Sequence, residues 1–201
     1  FTSIGTNNIT GIGTINLTGS LAYSYVSSSL GTSVWSAGGA LSSPRYSLAG
    51  AGTQNAALAF GGSTPSSTVS CTEEYDGSSW TTGGALINAR SALAGAGTQT
   101  AGIAFGGAVP GNTKVSCTEE YDGSSWSAGG ALITIRTSLS GAGTQNAGLA
   151  FGGYAPGNVT CTEEYDGSTW ATGGALIIAR RASGGAGEQN AALAFGGYST
   201  N

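Results

Sequence analysis

Apolar residues in this chain occur in short runs that glycine-rich turns separate from one another. Within a run they alternate with small or polar residues, as in the segment Val-Ser-Cys-Thr-Glu-Glu-Tyr of residues 115–121. A period of two is typical of β-strands, and no stretch shows the 3.6-residue apolar period of an amphipathic helix. The pattern therefore predicts many short strands and disfavours helices.

The runs recur with a period near 45 residues. A fixed period of this size is typical of a protein built from copies of one supersecondary unit, each burying its apolar faces against its neighbours. Residues present in every copy are therefore expected to be structural. They are Trp35, Trp80, Trp126 and Trp170; Arg45, Arg90, Arg136 and Arg180; and the glycine pairs that begin at Gly61, Gly106, Gly152 and Gly196.

One copy illustrates the strands that the pattern predicts. Residues 91–97 and 101–105 form the first two strands, and residues 115–121 form the third. Asp122-Gly123 is a strong turn signal, after which Trp126 opens a fourth strand. Four short antiparallel strands in about 45 residues is the pattern of one propeller blade.

The order of these landmarks resembles the kelch repeat. The segments AFGG, EEYDGSSW, GGALINAR and SALAGAGTQTAGIAFGG carry the resemblance, which covers about residues 35–197. It implies an all-β, kelch-like β-propeller built from four-stranded antiparallel blades, typically six or seven in a ring. The chain departs from kelch repeats at the turn, where Asp-Gly stands in place of the frequent Asp-Pro, and either pair makes a tight turn.

The copies do not add up to a ring of six or seven blades. Three arrangements stay open: an incomplete piece of a larger ring, a ring of four blades closed by N-terminal strands, and an open stack or solenoid. A solenoid would place the repeated glutamates in like-charge ladders, which are destabilising. The predicted segments are an N-terminal β segment or linker at 1–33 and repeats over 34–201, with units near 45–80, 90–126 and 136–170 and a partial unit at 180–201.

Charge is scarce, at 8% of residues, and it follows the repeat. Alternation along the third strand places Glu73 among apolar neighbours, where an unpaired carboxylate would be costly. The cation that repeats with it is arginine. We therefore expect each repeat arginine to form a bidentate pair with the first glutamate of a Glu-Glu-Tyr-Asp motif, in its own or an adjacent blade. These glutamates are Glu73, Glu119 and Glu163.

The repeated acids are a poor basis for catalysis. Adjacent strand residues point to opposite faces, so Glu73 and Glu74 cannot flank one scissile bond. The chain also has no histidine, which removes Ser-His triads and histidine-ligated metals. We therefore expect the chain to have no enzymatic activity and to bind no cofactor or metal. We assign the aspartates of the Glu-Glu-Tyr-Asp motif to the first position of their turns rather than to a calcium site.

The sequence also disfavours nucleic-acid binding, membrane insertion and disulfide bonds. A net charge of −4 with a single lysine disfavours nucleic acid, and no apolar run reaches membrane-spanning length. Cys71, Cys117 and Cys161 occupy one position of the repeat, so we expect them to be free, small, buried residues rather than disulfide partners.

All variation in repeat length falls between each glycine pair and the next tryptophan, in the loop from the second to the third strand. Equivalent loops share one face of a propeller, and loop variation collects at binding surfaces. We therefore predict that any recognition surface uses these loops. The candidate residues are Thr64, Pro65, Asn112, Lys114, Tyr154, Asn158 and Tyr198.

Near-identical Gly/Ser/Thr-rich copies with few charges are similar to modules of phage fibres and microbial surface proteins. This resemblance implies a non-enzymatic binding or adhesion module on a virion or cell surface. Its partner would be a glycan or protein receptor, or copies of itself in a homo-oligomer. Two alternatives remain: a purely structural subunit of a fibre or capsid decoration, and a fragment of a carbohydrate-active enzyme whose site lies elsewhere.

Overall fold

The computed structural model describes residues 36–199, which form eighteen strands and no helix. The predictions for residues 1–33 and for Trp35 lie outside these residues. The all-β prediction is confirmed, and residues 91–105 contain strands as expected. Within the described part of the chain, no helix is long and apolar enough to cross a membrane.

The strands fall into four successive units. Unit 1 holds β1 (Ala49–Thr53), β2 (Ala56–Phe60), β3 (Thr72–Tyr75) and β4 (Trp80–Thr82). Unit 2 holds β5 (Ala94–Gly97), β6 (Gly102–Phe105), β7 (Ala108–Val109), β8 (Thr113–Lys114), β9 (Thr118–Tyr121) and β10 (Trp126–Gly129). Unit 3 holds β11 (Ser140–Gly143), β12 (Gly148–Phe151), β13 (Thr162–Tyr165) and β14 (Trp170–Thr172). Unit 4 holds β15 (Arg180–Arg181), β16 (Gly184–Glu188), β17 (Ala191–Phe195) and β18 (Tyr198–Ser199).

Units 1 to 3 each contain one four-stranded antiparallel sheet whose strands follow one another in space as they do along the chain. The second strand pairs with the first and the third, so that Ala104 faces both Gly95 and Glu119. In unit 4 the equivalent hairpin of β16 and β17 is a two-stranded sheet in the described residues.

The strands of unit 2 are shorter than the sequence predicts. The first begins at Ala94 rather than at residue 91, because Ala92 has a φ of 50° and interrupts the extended backbone. The third begins at Thr118 rather than at residue 115. The loop predicted over residues 108–114 contains the small hairpin of β7 and β8.

Successive units are joined by backbone hydrogen bonds between the residues just before their first strands. The amide of Ala92 donates to the carbonyl of Ser47 at 2.8 Å, and the amide of Ser138 donates to the carbonyl of Ala92 at 2.7 Å. Ala182 continues the chain of bonds to Ser138 at 2.8 Å. All four residues have φ between 50° and 54°, so each step between units uses the same backbone geometry.

The core lies between the sheets and not within any one unit. One cluster joins Leu58 and Phe60 of unit 1 to Ala104, Tyr121 and Trp126 of unit 2. A second cluster joins units 2 and 3 in the same way. Each unit therefore buries its apolar surface only against its neighbours, as the period predicted.

The tryptophans are part of this packing. The indole of Trp126 lies 4.9 Å from the ring of Phe60, centroid to centroid, and its Nε1 donates to Thr72 Oγ1 at 3.0 Å. Trp170 repeats both contacts with Phe105 and Thr118 of the preceding unit. Both indoles are buried at the contact between successive units.

Candidate functional site

The repeat arginines and glutamates form buried ion pairs within their own units. The distance from Arg90 Nη2 to Glu119 Oε1 is 3.0 Å, and both side chains are at most 1% exposed. Units 1 and 3 contain the same pair, which joins Arg45 to Glu73 at 2.6 Å and Arg136 to Glu163 at 3.1 Å. The predicted pairing is present in the described residues for three of the four repeat arginines, where it belongs to the scaffold, and is not present for Arg180.

The predicted bidentate geometry is wrong. Each pair has a single nitrogen–oxygen hydrogen bond, and the Nε atom of each of these arginines is buried without a partner in the described residues. The second carboxylate oxygen of Glu119 accepts from the amide of Ile87 at 2.6 Å. Nη1 of Arg90 donates instead to the carbonyls of Gly106 and Cys117. The pair therefore ties the linker before each unit to its second and third strands.

In unit 1, the carboxylate is also held by a side chain. Glu73 accepts from the amide and the hydroxyl of Ser42, both at 2.7 Å. Burial raises the pKa of Glu73, but the bonds from Ser42 and the pair with Arg45 outweigh it and lower the pKa below its usual value.

The cysteines are free, as predicted, but half-buried rather than fully buried. The thiol of Cys161 lies 3.0 Å from Nη1 of Arg136, and that of Cys71 lies 3.1 Å from Nη1 of Arg45. In these two units the thiol lies against the guanidinium, a position that suits a small polarisable side chain.

The second glutamate of the Glu-Glu-Tyr-Asp segment, in units 1 and 2, binds the next unit, a role that the sequence did not reveal. Glu74 accepts from the hydroxyl of Tyr121 in the next unit, and Glu120 accepts from that of Tyr165, both at 2.5 Å. Burial, followed by the bond to Glu74, raises the pKa of Tyr121 to about 12. The sequence signal for this contact is that the glutamate and the tyrosine are about one repeat period apart.

The aspartates stabilise their turns, in the position predicted. The carboxylate of Asp122 accepts from the amides of Ser124 and Ser125, both at 2.8 Å. The bonds from Ser125 and Ser124 lower the pKa of Asp122 to about 2. The motif thus closes a four-residue loop between Tyr121 and Trp126, which pair across the hairpin.

A repeated glutamine links each unit to the one before it, a role that no local sequence pattern predicts. Nε2 of Gln145 donates to the carbonyls of Gly102 at 3.1 Å and Tyr121 at 2.7 Å. Gln99 and Gln189 make the equivalent bonds.

Several of the predicted loop residues meet in one row. The ammonium of Lys114 lies 4.9 Å from the centroid of the Tyr154 ring. The guanidinium of Arg181 lies 4.9 Å from that ring and 4.9 Å from the ring of Tyr198. Asn158 reaches the same place, since its Nδ2 donates to the carbonyl of Tyr198 at 3.2 Å. We call Lys114, Tyr154, Arg181 and Tyr198 the loop row.

Arg181 is the member of the loop row that is not among the residues predicted from the sequence. It stands directly after the repeat arginine of unit 4, and its backbone pairs with Tyr198 through β15 and β18. The signal was present in the sequence, because Arg181 is the one arginine outside the repeat positions.

The remaining candidates lie apart from these contacts. Thr64 and Pro65 line a shallow polar cleft between the loops of units 1 and 2, together with Tyr46 and Pro110. The hydroxyl of Thr64 accepts from the amide of Ser67 and so stabilises its own loop. Asn112 occupies the turn between β7 and β8 with a φ of 62°, a conformation that asparagine tolerates well.

No protein-family model matches the sequence, and no curated protein is detectably similar to it. The kelch resemblance therefore stays a prediction that rests on the residues quoted for it.

Proposed function

We propose that this chain is a non-enzymatic binding module, displayed on a virion or cell surface, that recognises a glycan or protein receptor through the loop row. Its repeated units would serve as the scaffold that presents these loops. Function would then depend on the few side chains that differ from copy to copy.

One observation carries this proposal. Four of the six cations in the chain are repeat arginines, and three of those four pair with glutamates in the described residues. The other two, Lys114 and Arg181, come from different units and both lie against Tyr154. Cations and aromatic rings outside the repeat positions thus collect at one place in an otherwise acidic chain.

The chemistry of the loop row favours an anionic ligand. Lysine and arginine together supply hydrogen-bond donors and positive charge, while the exposed ring of Tyr198 offers an apolar face. Tyr154 is only half-exposed and is already engaged by both cations. A glycan with an acidic sugar matches this combination better than a neutral one.

We also propose that the units are blades of a β-propeller. The contacts of β1 with β5, of β5 with β11 and of β11 with β16 place the first strands next to one another, as at the axis of a propeller. The loops from second to third strands would then share one face, which agrees with the contacts of the loop row.

A glycan array probed with the full chain tests the proposed function. We expect binding to glycans that carry carboxylate or sulfate groups, and we expect the double variant Lys114→Ala/Arg181→Ala to lose it. Ser66→Ala, in the equivalent loop of unit 1, is the matched control and should bind as the parent does. If the folded chain binds no acidic glycan, or if the double variant binds unchanged, recognition by the loop row is wrong.

A structural subunit is the second candidate, and the exposed apolar surface at unit 4 favours it. Leu193 is 64% exposed and Phe195 is 52% exposed, which is unusual for large apolar residues on strands. A subunit that assembles through this surface would associate with itself in analytical ultracentrifugation and would bind no glycan.

A further inference from the structure

Unit 4 presents in open form a surface that the other units cover. Its hairpin of β16 and β17 corresponds to β5 and β6, but the described residues supply no third strand beside β17. Leu193 and Phe195 on β17 are 64% and 52% exposed, whereas the equivalent Ile103 and Phe105 are fully buried. An open strand edge beside an apolar face is a template for another strand.

The site that holds the carboxylate in units 1 to 3 recurs in unit 4. In unit 3, Glu163 accepts from the amides of Ile133 and Thr134 and from Arg136. The equivalent residues of unit 4 are Ile177, Ile178 and Arg180, which line a cavity of about 380 Å³ with Leu176 and Ala194.

Arg180, which lines this cavity, has the same orientation as the repeat arginine of unit 3, where the glutamate is present. Nη1 of Arg180 donates to the carbonyl of Gly196 at 2.7 Å, just as Nη1 of Arg136 donates to that of Gly152 at 2.9 Å. The described residues place no carboxylate beside Arg180, so the cavity offers a positive charge that fits an incoming glutamate.

Unit 3 contains, at the same edge, a buried hydroxyl that has no hydrogen-bond partner within the described part of the chain. Thr72 and Thr118 each accept from the indole of a tryptophan in the next unit. The equivalent Thr162 is buried, and its Oγ1 has no hydrogen-bond partner among the described residues. A buried polar atom without a partner is uncommon and costly. Thr162 therefore lacks the indole that its counterparts bind.

Glu164 indicates the same missing neighbour. Its equivalents Glu74 and Glu120 each accept from a tyrosine of the next unit and are partly buried, whereas Glu164 is exposed. The open surface thus lacks a glutamate, a tyrosine and a tryptophan, in the spacing that the third and fourth strands of units 2 and 3 contain.

We propose that the edge of unit 4 binds an extended polypeptide segment with the repeat's own third- and fourth-strand sequence, Thr-Glu-Glu-Tyr-Asp-Gly-Ser-Ser-Trp. The register of unit 2, in which Glu119 faces Ala104, places the first glutamate opposite Ala194. That glutamate enters the cavity of Arg180. The tyrosine donates to Glu164, and the tryptophan donates to Thr162.

Two other occupants fit less well. Residues 27–35 of this chain read Ser-Ser-Ser-Leu-Gly-Thr-Ser-Val-Trp, which offers the tryptophan but no carboxylate and no tyrosine. That segment would cover Arg180 without pairing it. A second intact copy cannot donate its own strand from units 1 to 3, because Glu73, Glu119 and Glu163 are each buried in their own sheets.

The test is binding of a fluorescent peptide to the full chain, measured by anisotropy. The peptide has the sequence of residues 115–130, with Cys117→Ser to prevent oxidation. We expect saturable one-to-one binding, because strand addition combines backbone hydrogen bonds with side-chain pockets. The same peptide carrying Glu119→Gln should bind at least about tenfold more weakly, since a charge-assisted bond in a covered site is lost.

A matched pair of protein variants locates the site. Arg180→Gln should weaken binding of the parent peptide by a similar factor, whereas Glu188→Gln, an exposed charge change in the same unit, should leave it unchanged. The thermal midpoint of each variant, followed by circular dichroism, shows that the chain is folded. The peptide variants keep the protein constant and decide the matter if Arg180→Gln does not fold.

Three results would overturn the proposal. One is no binding to the full chain together with binding to a chain that lacks residues 1–34, which would assign the edge to the N-terminal segment. The second is equal binding of the parent and Glu119→Gln peptides, which would make the contact non-specific strand pairing. The third is a dimer in sedimentation that the peptide does not dissociate, which would assign the edge to a second copy.

Discussion

At the scale of single residues, the buried arginine–glutamate pairs determine how each unit closes. Arg90 and Glu119 are both essentially without exposure, and neither could be buried alone without a large desolvation cost. Their other hydrogen bonds all go to backbone groups of the same region. The pairs therefore stabilise the junction of linker, second strand and third strand.

Replacing Glu119 with glutamine tests this role. The substitution preserves shape but leaves the guanidinium of Arg90 buried without a carboxylate, so we expect the free energy of unfolding to fall by about 3 kcal/mol. Urea denaturation followed by tryptophan fluorescence measures it. Glu188→Gln, at an exposed glutamate, is the control and should change the free energy by less than about 0.5 kcal/mol. A loss in Glu119→Gln no larger than in the control would contradict the account.

Side-chain contacts could be predicted from the sequence where both residues of the contact belong to one unit. The pairing of Arg90 with Glu119 followed from strand alternation and the shortage of cations. The bonds of Tyr121 to Glu74 and of Gln145 to Gly102 were missed, because they join residues of different units. Alternation within a strand fixes which face a side chain occupies, but not which residue of the neighbouring unit lies opposite it.

At the scale of strands, the close approach of the first strands explains their glycines. A Cβ on Gly141 would lie 2.7 Å from the carbonyl oxygen of Gly95 and 2.7 Å from Cζ of Phe105. Neither neighbour is the end of a flexible chain. The small residues of these strands therefore set the distance between units rather than marking a flexible segment.

Gly141→Ala should separate units 2 and 3 and destabilise the chain by about 1–3 kcal/mol, the range of an overpacked core. Thermal unfolding followed by circular dichroism measures the change. Gly157→Ala is the matched control, because a Cβ there meets nothing within 4 Å. Equal midpoints for the two variants would show that the first strands are not in close contact.

Strand positions were largely predictable, and strand bounds were not. The second strand and the Asp-Gly loop follow from local residue types that act within a few positions. The late start at Ala94 depends on the positive φ of Ala92, which the bond from Ala92 to Ser47 of the previous unit supports. A conformation that a contact one period away imposes has no local signature.

At the scale of the whole molecule, the described residues form a series of units in which each unit supplies hydrogen-bond donors to the one before it. Unit 2 supplies Trp126 to Thr72, and unit 3 supplies Trp170 to Thr118. Thr162 then stands without a partner at the point where the series stops in the described residues. The residues that stabilise the chain thus differ from those proposed to bind a receptor. The repeated residues lie between the units, whereas the loop row lies on the loops.

Hydrogen exchange of the backbone amides tests this account most directly. We expect the outward amides of β17 to exchange in the free chain far faster than the equivalent amides of β6 and β12, which pair with third strands. Adding the peptide of residues 115–130 should slow them to the rates of β12. Amides of β17 that are as protected as those of β12 in the free chain, and unchanged by the peptide, would contradict the account.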